Sequence, residues 1–201
     1  MRRLVALFLV VGAAIFAVRK ALWMGAPKPV TGISKSRMAY ARWGDGPKTL
    51  LFMPGGPGNF APGGIDLSMM LRPFRRLLDE GYTIWYVMRK QGMPQGHSIA
   101  DMADDYAEFI DSELGGKVDV ALGTSYGGMI GFYLAARHPD RFGHIVIAAA
   151  GYEVSDRGKD IDYTLATRLS EGRPVEAAKG MFEDYFPQVR VPGLAWLCLL
   201  Y

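Results

Sequence analysis

A single cysteine, Cys198, stands in a chain of 201 residues. No intrachain disulfide can form, so the fold rests on its core alone. Histidine is nearly as scarce: His97, His138 and His144 are all there is. They lack the spacing of a zinc motif, so neither a structural nor a catalytic metal is expected. Acids are absent before Asp45, whereas residues 1–30 carry Arg2, Arg3, Arg19, Lys20 and Lys28. Taking those five from 23 lysines and arginines leaves 18 bases against 20 acids, so the net charge of +3 belongs to the N-terminus. No basic patch interleaves with aromatics, which removes nucleic acid as an expected partner. What is abundant is apolar: half the residues are hydrophobic and 21% are charged, the balance of a globular chain with a sizeable core.

Long apolar runs are also missing, with one exception. Leu4 to Val18 is uninterrupted, behind Arg2 and Arg3. As a helix it rises about 22 Å, short of a bilayer core of about 30 Å. Snorkelling of Arg19 and Lys20, with Trp23 in the interface, would extend it over residues 4–24. An uncleaved anchor, a secretory signal and a buried helix remain open readings, and the chain is expected to be membrane-anchored or exported. Residues 1–30 are thus read as an N-terminal apolar helix with a linker broken by Pro27 and Pro29.

From Lys35 onward, elements of two kinds alternate. Strands are expected over Arg37–Trp43, Thr49–Met53, Tyr82–Met88, Val118–Leu122 and His144–Ala150. Helices are expected from Pro73 to Gly81, from a capping-box start at Ser98 to Leu114, and over Tyr126–Arg137. The carboxylates Asp101, Asp104, Asp105, Glu108 and Asp111 are read as the solvated face of the second helix. Such alternation implies an α/β fold, a mostly parallel sheet with helices on both faces, over residues 31–152. Beyond Gly151 the strand signal stops: residues 155–190 read as helical, broken by Gly172, Pro174 and Pro187, and Leu194–Tyr201 is an apolar stretch.

One pentapeptide carries chemistry: Gly123-Thr124-Ser125-Tyr126-Gly127. In a glycine-rich chain the bare pattern is weak evidence, but its setting is specific. It follows the apolar strand Val118–Leu122 and opens a helix, as a nucleophile elbow must. Such a corner strains the serine and presses strand against helix, so Gly123 and Gly127 remove side chains that would collide. Gly128 and Gly131 are expected to extend that contact. A structural Gly-Ser turn is the plainer alternative.

With the elbow in view, residues 35–152 resemble the α/β-hydrolase superfamily. Ala135-Ala136-Arg137-His138-Pro139-Asp140-Arg141-Phe142 is similar to the segment leaving the helix after its elbow. Pro54-Gly55-Gly56-Pro57-Gly58 is similar to the His-Gly-Gly-Pro-Gly loop of the prolyl-iminopeptidase-like branch, with Pro54 in the histidine's place. The resemblance implies that Ser125 is the nucleophile of a serine hydrolase, with backbone N–H groups of Gly56 and Tyr126 as oxyanion donors. It implies an ester, amide or related carbonyl substrate, a small molecule or short peptide, and no cofactor.

The family's triad runs Ser, acid, His, and only His138 and His144 follow Ser125. Both fall at the edge of the sheet away from the serine, while His97 falls at the right edge but reads as a loop histidine. Glu153 and Asp156 are weak candidates for the acid. The family's last strands are not recognisable, so the chain is expected to stop inside a helical lid, residues 153–201, of a longer enzyme. The rival reading is a non-catalytic binding or scaffold protein on the same fold.

Overall fold

A computed structural model describes residues 27–56, 67 and 71–185. The expected apolar helix over residues 4–24 lies outside the described residues. Among those described, no helix is long and apolar enough to cross a membrane. On that finding the expectation of a membrane-anchored or exported chain, and of membrane association, is corrected.

The chain divides into two compact units, Met1–Gly151 and Tyr152–Tyr201. In the first, β1 (Val30–Ile33), β2 (Met38–Trp43) and β3 (Lys48–Met53) are followed by a 3-10 turn (Arg72–Phe74) and α1 (Arg75–Asp79). Then come β4 (Tyr82–Lys90), α2 (Ile99–Glu113), β5 (Val118–Thr124), α3 (Tyr126–Arg137), a 3-10 turn (Pro139–Arg141) and β6 (Phe142–Ala148). The second unit contributes α4 (Asp156–Ser170) and α5 (Pro174–Tyr185).

The six strands form one sheet in the order β1-β2-β4-β3-β5-β6. The β1–β2 and β2–β4 pairings are antiparallel; β3 pairs in parallel with both β4 and β5, and β5 with β6. A mostly parallel sheet is thus what the alternating pattern implied, with an antiparallel edge. The short β1 has no counterpart among the expected strands, which begin at Arg37.

Both faces of the sheet are covered, so its central strands are apolar at successive positions rather than at alternate ones. Along β3, Leu51 and Met53 pack with Val87, Tyr106, Phe109, Ile110, Ile130 and Leu134. Leu50 and Phe52, pointing the opposite way, pack with Ile84, Tyr86, Met88, Leu71 and Phe74. Burying one such side chain stabilises by about 2 kcal/mol, an upper figure for an extended unfolded chain.

Element ends differ from the sequence reading where the backbone turns left-handed. Arg37 has φ 63°, so β2 begins one residue later than expected. Ala149 has φ 53°, so β6 ends at Ala148 and runs from Phe142 instead of His144. The helix expected from Pro73 is a 3-10 turn with five α-helical residues behind it, stopped before Gly81 at φ 83°. By contrast α3 has the expected bounds, and Ser98 caps α2 in a full capping box with Asp101.

This connectivity creates a switch point. From β3 the chain crosses to β4 on one side, and β5 then lies on the other side of β3. Where strand order reverses in this way, the loops at the carboxyl ends diverge and leave a crevice. The loop after β3 and the corner after β5 meet there, since Met53 and Gly123 are register partners.

Candidate active site at the corner after β5

Ser125 is the turning residue between β5 and α3, at φ 51° and ψ −122°. A non-glycine residue at positive φ costs about 1–3 kcal/mol and persists only where its surroundings enforce it. Those surroundings are specific. The Ser125 N–H donates to the Ala148 carbonyl of β6 at 2.9 Å, and the Ser125 carbonyl accepts from Gly128 and Met129 at 2.8 and 3.1 Å. The residue is exposed, and its hydroxyl has no hydrogen-bond partner among the described residues.

Two glycines make the corner sterically feasible. A Cβ on Gly123 would strike the Gly127 carbonyl and come within 2.8 Å of Gly128 Cα. One on Gly127 would strike the Met53 carbonyl and lie 2.7 Å from the Pro54 oxygen. Gly128 belongs to the same contact, 2.6 Å from Ala150 Cβ by the same construction. Gly131 does not: its nearest neighbour, Ile147, would sit at an ordinary 3.4 Å. The close approach therefore ends one helical turn earlier than the sequence reading has it.

The glycine loop lies against the serine. A Cβ on Gly55 would fall 2.7 Å from Ser125 Cβ and 3.3 Å from its Oγ. Gly56 has φ 65° with open space where a side chain would be, so glycine there serves conformation and not room. The N–H groups of Gly56 and Tyr126 have no acceptor among the described residues; Tyr126 is the first residue of α3, where such donors are orphaned. Pro57 and Gly58 lie outside the described residues.

Histidines are absent from this arrangement. His97 lies beyond β4, and its Nε2 is 2.7 Å from an Asp105 oxygen whose partner oxygen accepts from Lys90 Nζ at 2.7 Å. Asp105 is therefore buried in a charged cluster, a correction to its reading as one of five solvated acids. Burial there is tolerable because a carboxylate between two donors is paired on both oxygens. His138 caps α3 with its Nε2 2.6 Å from Asp104, and His144 is exposed on β6 opposite Val120. In the second unit, Glu153 and Asp156 are exposed and face Lys159 at 3.6 and 3.1 Å. Within the first unit no described side chain hydrogen-bonds the Ser125 hydroxyl, and among the described residues no group of three His, Cys, Asp or Glu could hold a metal ion.

Sequence reasoning passed over Arg89, at the end of β4. It is 6% exposed, Nη2 donates to the Gly56 carbonyl, and the guanidinium lies 4.5 Å from the centre of the Tyr126 ring. Its Nη1 is buried without a partner. The available signal was a cation inside an apolar strand, which a buried position never takes without cause.

Residues 50–200 match the model of a family described as the alpha/beta hydrolase family. The chain is similar to an esterase from Thermogutta terrifontis, at 21% identity and a TM-score of 0.56, over 78% of this chain and 58% of that one. It is similar to an alpha/beta hydrolase from Sphaerobacter thermophilus at 20% identity and a TM-score of 0.56, over 86% and 65% of the two chains. For an epoxide hydrolase from Vigna radiata the values are 19%, 0.51, 72% and 45%. In each case the chain spans less than two thirds of the other protein's length, and likeness at such identity speaks to fold.

Proposed function

The chain belongs to the alpha/beta hydrolase family, and from that premise we propose that it is a serine hydrolase forming an acyl-enzyme at Ser125. The observation that carries this reading is the strained, exposed Ser125 with the Gly55 backbone against its hydroxyl. Two unbonded N–H groups, of Gly56 and Tyr126, stand on the two segments that meet there. Strain at such a corner is stable only if the fold over-determines it, and it turns the hydroxyl out of the sheet.

The reaction is an acyl transfer. Ser125 Oγ attacks the carbonyl carbon of an ester, amide or related small-molecule or short-peptide substrate, and gives its proton to a base. The carbonyl electron pair moves to oxygen, where the Gly56 and Tyr126 N–H groups would hold it. Collapse expels the alcohol or amine, which takes the proton, and water then releases the acid by the same route. No described histidine hydrogen-bonds the Ser125 hydroxyl, and the Nε2 atoms of His97 and His138 are taken by Asp105 and Asp104.

That engagement favours one second reading, a non-catalytic protein that binds ligands on the same fold. A fluorophosphonate probe separates the two. Serine-hydrolase chemistry predicts covalent labelling that Ser125→Ala abolishes. A folded protein that stays unlabelled, or is labelled equally with and without Ser125, would sink the nucleophile assignment.

A further inference from the structure

We propose that Arg89 is a positioning residue that clamps both oxyanion donors at once, an inference that rests on the reading of Ser125 as nucleophile. The two N–H groups come from segments far apart in sequence, which meet where β3 pairs with β5. Gly55 is fixed by its approach to Ser125 and Thr124, whereas a Cβ on Gly56 would meet open space. The described contact on Gly56 is the hydrogen bond from Arg89 Nη2 to its carbonyl. A glycine has many backbone conformations open to it, and that bond favours the one at φ 65°.

The same guanidinium lies over the Tyr126 ring at 4.5 Å, on the residue whose N–H is the second donor. Arg89 itself is anchored in β4, the strand beside β3 at the switch point. One rigid planar group therefore ties the loop after β3 to the first residue of α3.

Its energetics fit a functional role. Arg89 is buried, it has no carboxylate partner among the described residues, and Nη1 is unsatisfied. A desolvated cation in that state is costly, so packing alone does not explain it. Beside an oxyanion the uncompensated charge becomes useful, because it favours the negative intermediate over the neutral ground state. Lysine would keep the charge but lose the fork and the flat face over Tyr126.

The test uses R89M and R89K in the full chain. In amide NMR spectra, R89M should move the Gly56 and Tyr126 resonances while those of β3 and β5 stay in place, and R89K should move them less. With a fluorophosphonate ester, R89M should slow the bond-forming step about 100-fold, the loss typical of one missing oxyanion donor, with reversible binding unchanged. R89K should fall between R89M and wild type. Unmoved Gly56 and Tyr126 resonances, or a loss confined to reversible binding, would overturn the clamp. If R89M does not fold, R89K decides by the same resonances. If wild type is not labelled at Ser125, the nucleophile reading fails, and the resonances alone judge Arg89.

Discussion

At the scale of single residues, the site depends on where side chains are absent. Gly127→Ala would drive a methyl group into the Met53 and Pro54 carbonyls, which are backbone and cannot turn aside. A loss of about 3 kcal/mol is expected, read as a lower denaturant midpoint. Gly131→Ala, one turn on, meets Ile147 at 3.4 Å and gains helix propensity, so stability should rise by up to about 1 kcal/mol, read as a higher midpoint. Equal effects of the two would refute the steric account. These glycines were legible because their constraint is local: strand, corner and helix are consecutive in the chain. Arg89 was not, because its partners lie 33 and 37 positions away and meet it only once β4 pairs with β3. Asp105 was misread for a related reason: helical periodicity assigns a face, but Lys90 and His97 arrive from outside the helix.

At the scale of elements, α2 shows how far local chemistry sets a boundary. Ser98 Oγ accepts from the Asp101 N–H at 3.1 Å, and Asp101 accepts from the Ser98 N–H at 2.8 Å. Ser98→Ala should cost about 1 kcal/mol of stability, measured by denaturant titration. The Ser98 side-chain hydrogen bond, with its backbone one, holds the Asp101 carboxyl below the usual range. A folded value below the unfolded one means that the benefit is complete above the ordinary carboxylate range and disappears as pH falls through the folded value. Asp101→Asn should therefore lower stability at neutral pH and flatten the loss of stability as pH falls through and below the ordinary carboxylate range. An unaltered acid limb would mean that Asp101 has no part in it. Caps of this kind are readable three residues apart, which is why α2 has nearly its expected bounds. Strand ends were less readable, since Arg37 and Ala149 turn left-handed without glycine.

At the scale of the whole molecule, the central strand decides how the site fails. β3 is hydrogen-bonded on both sides and its Leu51 and Met53 are fully buried, whereas β1 is a four-residue edge strand with exposed positions. Amide exchange at Leu51 and Ala121 should require global unfolding, while Val30–Ile33 should exchange by local opening at far lower free energy. Comparable protection of the two would contradict this order. The parallel sheet itself was predictable from alternating elements, but β1, a four-residue edge strand, carried too little pattern. Because the glycine loop and the serine corner continue the adjacent strands β3 and β5, the site shares its survival with the sheet. Substitutions elsewhere in that unit should then act on abundance: they change how many molecules are folded, while each folded molecule turns over at an unaltered rate.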